Sequence, residues 1–85
     1  GEYEFRMTEL THREGPNFSA DKAIIELWKG ERQITTLKPE KRQYLRGEVM
    51  TEAGIRPGLT GDLFVAMGEP LDGGKAWSIR VQYKP

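Results

Sequence analysis

The 85-residue sequence has no cysteine, no long apolar run and no net charge. The lack of cysteine excludes disulfides, thiolate metal sites, iron–sulfur ligation and thiol nucleophiles. No apolar run approaches the ~18–20 residues that a membrane-spanning helix needs, and no signal-peptide pattern is present. Thirteen basic residues balance thirteen acidic ones. This balance disfavours non-specific binding to nucleic acid, which depends on neutralising phosphates, but it is compatible with a local basic patch.

The length and composition indicate one small globular domain. Apolar residues make up 36% of the chain and charged residues 31%, a mixture typical of folded proteins. A chain of this length buries only about 60–65% of its extended surface, so we expect a modest core. The sequence begins within two residues of a strand-like pattern and ends directly after another. We therefore expect a single domain, residues 1–85, that belongs to a larger protein.

Apolar residues recur with a period of two, which is the signature of half-buried strands. The clearest example is the alternation of Trp77, Ile79, Val81 and Tyr83 with polar residues. The pattern predicts six short strands, within residues 3–8, 23–28, 34–37, 49–55, 63–67 and 77–83, and no helix. Glycine and proline fall mostly between these segments, as turns require, for example in Asp72-Gly73-Gly74.

The distribution of apolar residues favours a sheet that folds over on itself. Ile24, Trp28 and Phe64 place apolar side chains on the second face of their predicted strands. A single flat sheet would leave one of these faces in water, whereas closure removes exposed edges and creates a core. The sequence therefore predicts an all-β fold: a small closed or partly open barrel, OB-like, with about five to six short antiparallel strands.

The sequence offers few residues suited to catalysis. His12, the only histidine, gives no usual zinc spacing, and we expect it to be a solvated loop residue. Ser19 and Ser78 do not lie in a nucleophile-elbow motif. Glu48 and Glu52 share one face of a predicted strand and are interpreted as a solvated edge, not as an acid–base pair. We predict no catalytic, cofactor-binding or metal-ligating residue in this chain.

A dense charged run surrounds a proline in residues 36–44, TLKPEKRQY. Composition alone favours a structural corner, where Pro39 breaks a strand and the charges pair with one another. Contact with an anionic partner or with lipid headgroups is the alternative. The candidate docking surface consists of the charged and aromatic residues of this run: Lys38, Glu40, Lys41, Arg42 and Tyr44.

Several segments resemble, in order, a large periplasmic loop of the CcmF family of cytochrome c-type biogenesis proteins, which includes the related NrfE proteins. The resemblance extends from about residue 15 to the end of the chain. Gly54 and Gly61 depart from the family pattern, in which alanine and arginine are expected. The segments that carry it are GPNF (15–18), TLKPEKRQY (36–44), MTEA (50–53), DLFVAMGEP (62–70) and WSIRVQYKP (77–85).

The resemblance implies a function in cytochrome c maturation. CcmF-like proteins are polytopic proteins of the bacterial inner membrane that act with CcmH, and in some organisms CcmI. They take haem from holo-CcmE and promote its covalent attachment to apocytochrome c. On this basis we expect a soluble periplasmic β-domain beside the membrane that is not itself an enzyme, within a full-length protein resembling a haem lyase subunit. Haem would be handled elsewhere in that protein, and no haem ligand is assigned to His12.

The main alternative is an independent OB-like domain that binds a ligand or a nucleic acid. Zero net charge counts against it. So does the interpretation of Trp28, Trp77 and Tyr83 as core residues instead of a base-stacking platform. Binding of single-stranded oligonucleotides with a steep salt dependence would favour this alternative. We expect no nucleic-acid partner.

Overall fold

The computed structural model describes residues 3–85, which form eight antiparallel strands. The first sheet has the order β1-β2-β4-β5, with β3 paired to β2 in line with β4, and the second has the order β6-β7-β8. A single 3-10 turn, Asp72–Gly74, joins the last two strands. The strands are β1 (Tyr3–Glu14), β2 (Phe18–Lys29), β3 (Arg32–Leu37), β4 (Glu40–Tyr44), β5 (Val49–Glu52), β6 (Gly54–Arg56), β7 (Asp62–Leu71) and β8 (Ala76–Lys84).

The predicted all-β fold of antiparallel strands is confirmed, but the OB-like barrel is not, and residues 3–85 form eight strands where about five to six short ones were predicted. The described strands form two separate sheets whose apolar faces pack together as a sandwich. The strands form two sheets instead of one barrel because the chain passes from the first sheet to the second at Ala53. This residue was predicted to lie inside one strand, residues 49–55. Instead, β5 pairs with β4 in the first sheet and β6 pairs with β7 in the second. One short segment therefore serves both sheets, and no ladder among residues 3–85 joins the two sheets.

Pro39 interrupts the strand without turning a corner. Ile25 of β2 pairs with Leu37 of β3, and Lys22 of β2 pairs with Glu40 of β4. The two pairs are three residues apart along β2 and three residues apart along the β3–β4 segment, so the pairing register is unchanged across Pro39. Between these pairs, the backbone N–H of Ala23 donates to the carbonyl oxygen of Pro39 at 3.0 Å. The proline is fully buried and removes only its own donor from the ladder. The predicted strand break is therefore present but does not turn the chain, and the predicted pairing of charges occurs between Arg42 and Glu40.

The core lies between the two sheets. Its buried members are Ala23, Ile25, Leu37, Val65 and Met67, drawn from both sheets. They occupy alternate positions of their strands, as the period of two predicts. Complete burial of a side chain the size of isoleucine or valine stabilises the fold by about 1.5–3 kcal/mol. This small cluster therefore carries much of the stability.

The two sheets approach each other closely where β6 passes β3. A side chain at Gly54 would place its Cβ 2.9 Å from the Cβ of Leu37 and 3.1 Å from the backbone nitrogen of Lys38. Such separations are shorter than ordinary van der Waals contact, so glycine permits the close approach. Among residues 3–85, no helix is long and apolar enough to cross a membrane.

Candidate functional site

Strand β4 divides the predicted docking residues between two faces. Because successive side chains of a strand point to opposite faces, Glu40, Arg42 and Tyr44 lie on the outer face of the first sheet. Lys41 pairs with Asp21 on the inner face, which looks toward the second sheet. Lys38 is exposed between β3 and β4. The five predicted residues therefore do not form one surface.

On the outer face, cations and aromatic rings form a compact outer patch, comprising Arg13, Phe18, Glu40, Arg42 and Tyr44. The guanidinium of Arg42 lies 4.5 Å from the centre of the Phe18 ring, and that of Arg13 lies 5.7 Å from it. The rings of Phe18 and Tyr44 are 5.7 Å apart and tilted. Cation–π contacts of this kind hold the guanidinium groups in place.

Two arginines of the outer patch flank a small residue. Arg13 and Arg42 pair with Ala20 from opposite sides, so the three residues form a row across β1, β2 and β4. Ala20 is only 5% exposed although it lies on the outer face, because the long arginine side chains border it on both sides. Nε of Arg42 donates to Glu40 at 2.6 Å, and this bond to the carboxylate raises the pKa of Arg42. Arg42 is therefore a permanent, oriented cation.

Lys41 stabilises the inner face. Its Nζ donates to the carbonyl oxygen of Gly68 at 2.7 Å and lies 5.8 Å from the centre of the Trp77 ring. The side chain is partly buried, so this hydrogen bond is shielded from competing water. Lys41 connects the two sheets and is less accessible than a docking residue needs to be.

His12 lies on strand β1, not in the loop that the sequence predicted. Its Nδ1 is 2.8 Å from the Asp21 carboxylate, and its Nε2 contacts the Glu14 carboxylate. The hydrogen bond to Asp21, followed by that to Glu14, raises the pKa of His12. His12 and Asp21 line a cleft of about 600 Å³ at one end of the sandwich, together with Trp77, and we call this the histidine end.

The histidine end does not assemble a metal or nucleophile site from the described residues. Within residues 3–85, no group of three or more histidine, cysteine or acidic side chains is arranged to hold a metal ion.

Ser78 accepts a hydrogen bond from the backbone N–H of Glu69 at 2.8 Å. Glu48 lies just before β5 and pairs with Arg46 at 2.5 Å. Glu52 pairs with Glu40 in the β4–β5 ladder.

A second cleft, of about 560 Å³, opens at the opposite end of the sandwich. Its floor is apolar and aromatic, and its rim carries Lys29, Arg32 and Arg56. We call it the cationic cleft. Sequence reasoning missed it, because the cleft joins Lys29 and Arg32 of the neighbouring strands β2 and β3 to Arg56 of β6, which is distant along the chain. The sequence offered one related signal, the alternation that includes Tyr83, which was interpreted as a core residue although it is 53% exposed.

Comparison with known proteins identifies the family. The profile of the family described as "CcmF C-terminal beta-sandwich" matches residues 1–85. The chain belongs to this family. The architecture in the family's description agrees with the two packed sheets, and the resemblance of the chain to the CcmF family is confirmed.

Individual relatives agree with the CcmF assignment. The cytochrome c-type biogenesis protein CcmF of Pseudomonas aeruginosa is 49% identical over 86 residues, covering 100% of this chain and 13% of that protein. CcmF of Escherichia coli is 41% identical over 99% of this chain and 13% of its own length. The cytochrome c-type biogenesis protein NrfE of Haemophilus influenzae is 36% identical, covering 100% of this chain and 13% of that protein. The chain thus spans about an eighth of these relatives. No solved structure matches it significantly.

Proposed function

We propose that the chain is a non-catalytic periplasmic module of a CcmF-like inner-membrane protein in cytochrome c maturation. In this proposal it supports haem transfer from holo-CcmE and covalent attachment to apocytochrome c, while haem itself is handled elsewhere in the protein. Its relatives carry the name cytochrome c-type biogenesis protein, which supports the process but not this finer role.

The outer patch is the observation that carries the proposed role. Two guanidinium groups are held over one phenylalanine ring, and Arg42 is oriented further by Glu40. Preorganised guanidinium groups lose little rotamer freedom on binding and match the geometry of carboxylates. We therefore assign the outer patch to an acidic segment of a partner protein. The candidate partners are CcmE, CcmH, CcmI where it is present, and apocytochrome c.

Charge reversal on the outer patch tests this role. Arg13→Glu combined with Arg42→Glu, in the full-length protein, should lower the yield of holocytochrome c and the recovery of the partner in co-purification. Like charges would then face each other across the interface, which disfavours association. The yield is measured by haem staining and the protein level by immunoblotting.

Arg80→Glu is the matched control, since Arg80 is an exposed cation on the outer face of the second sheet. It should leave both the yield and the co-purification unchanged. Normal holocytochrome c with the double reversal, at a normal protein level, would remove the docking role. An equal loss with Arg80→Glu would show that the outer patch has no special part in it.

A further inference from the structure

The cationic cleft lies between the inner faces of the two sheets, at the end opposite the histidine end. Its volume of about 560 Å³ falls within the range of roughly 300–1,000 Å³ that is usual for small-molecule sites. Residues from β1, β2 and β3 form one wall, and residues from β6, β7 and β8 form the other. The cleft is therefore bordered by residues of both sheets.

The floor of the cationic cleft exposes side chains that a sandwich would normally bury. Val81 is 47% exposed and Tyr83 is 53% exposed, although both occupy inward-facing positions of β8. Phe5 and Leu63, from the two facing sheets, are half buried beside them. Exposed apolar surface of this kind, enclosed between two walls, favours an apolar occupant.

Charge of one sign surrounds this apolar floor. The charged side chains that line the cleft are Lys29, Arg32 and Arg56, and no lining residue in the described part of the chain is acidic. Within residues 3–85 none of the three forms an ion pair. Two of these side chains contact uncharged groups: Arg56 donates to the carbonyl oxygen of Ile34 at 3.3 Å, and Lys29 lies 5.3 Å from the Tyr3 ring. Their positive charges are therefore not neutralised by these contacts.

We propose that the cationic cleft binds a small amphipathic anion, with an apolar body on the floor and a carboxylate or sulfonate at the rim. Burial of the apolar body would remove Val81, Tyr83 and their neighbours from water. The acid group would receive charge-assisted hydrogen bonds from the guanidinium groups of Arg32 and Arg56. The cleft and the outer patch lie at different places in the fold, so this site does not depend on the docking role.

Anilinonaphthalene sulfonate, an aromatic anion that fluoresces in apolar surroundings, is the probe for the 85-residue chain. We expect saturable binding of one molecule per chain, with a blue-shifted emission. Laurate should displace the probe, whereas dodecyltrimethylammonium, which has the same tail and a positive head, should not. Addition of salt should weaken binding, because the rim charges are exposed and screened.

Arg32→Gln combined with Arg56→Gln should raise the Kd for the probe and for laurate roughly tenfold or more. Arg80→Gln, which removes an exposed cation from the outer face of the second sheet, should leave both constants unchanged. Lys29→Gln gives an independent variant at the rim and should weaken binding as well. Unchanged affinity in the rim variants, or equal displacement by the cationic detergent, would overturn the proposal. Absence of saturable binding by the unaltered chain would also overturn it.

Discussion

The two ends of the sandwich differ in how their charges are arranged. At the histidine end, His12 contacts Asp21 and Glu14, and Lys41 donates to the carbonyl oxygen of Gly68. At the other end, the cations of the cationic cleft form no ion pairs within residues 3–85. Charges paired at an exposed site add modestly to the stability of the fold, whereas like charges gathered without counter-ions tend to oppose it.

This contrast separates structural charges from binding charges in the same domain. Both ends open into clefts of comparable volume, about 600 Å³ and 560 Å³, so cleft size does not distinguish them. The two ends are distinguished by the hydrogen-bond partners of their charged side chains. The histidine end should respond to substitution mainly in stability, and the cationic end mainly in ligand affinity.

The largest effect on the free energy of unfolding is expected in the core, which lies between the two ends. Ile25 is completely buried in the middle of the sandwich. Ile25→Ala should lower the free energy of unfolding by about 2–5 kcal/mol, because it removes apolar contacts and leaves a cavity. Urea denaturation followed by tryptophan fluorescence measures the change. A loss below about 1 kcal/mol would contradict the description of a packed centre, and Ile25→Val should cost much less.

The second-largest effect on the free energy of unfolding is expected at Lys41, near the histidine end. Lys41→Met keeps most of the aliphatic side chain but removes the donor to the carbonyl oxygen of Gly68. It should lower the free energy of unfolding by about 1–2 kcal/mol, because a partly buried carbonyl oxygen loses its partner. Urea denaturation gives the value. Stability equal to that of the unaltered chain would show that Lys41 does not connect the sheets.

A smaller, pH-dependent effect is expected from His12. Its pKa is raised in the folded chain by the hydrogen bonds to Asp21 and Glu14. The folded state therefore holds the proton more tightly than the unfolded state, whose pKa is about 6.5. The resulting stabilisation is fully present below that value and is lost as the pH rises through the higher folded pKa. Unfolding midpoints from pH 5 to 9 should show this decline, and His12→Gln should remove it.

The smallest effect on stability is expected at the cationic end. Arg32 is exposed and takes part in no ion pair within the described residues. Arg32→Gln should change the free energy of unfolding by less than about 0.5 kcal/mol. Any change at low salt should be toward greater stability, because two neighbouring cations lose a repelling partner. A loss comparable to that of Lys41→Met would abolish the distinction between the two ends.

The sequence predicted the strands where polar and apolar residues alternate clearly. The alternation from Trp77 to Tyr83 lies within β8, and the turn Asp72-Gly73-Gly74 is present. The far half of β1, residues 9–14, was missed, since it contains little apolar character and forms an exposed edge. The crossing at Ala53 was missed for a different reason. A strand that passes from one sheet to another keeps its period of two, so the alternation carries no sign of the change.

The candidate site was predicted less well than the fold. The charged run led correctly to the family, but its interpretation as one surface overlooked the alternation of strand faces. That alternation separates Lys41 from Glu40 and Arg42. The contacts of Arg13 with Phe18, and of His12 with Asp21, depend on the register of β1 with β2. That register follows from the tight connection between β1 and β2, where Glu14 pairs with Ser19, and the irregularity between Met7 and Glu9 shifts only the pairs nearer the start of β1.

The passage of the chain at Ala53 also bears on how the sandwich assembles. This one residue separates the end of β5 from the start of β6. Once β5 has joined the first sheet, β6 is held at a high effective concentration beside the place where the second sheet forms. Little further chain entropy is lost when the sheets meet, and lengthening this link would raise the cost only slowly, by about 0.6 kcal/mol for each doubling of a flexible loop. The second sheet therefore assembles as a tethered neighbour of the first.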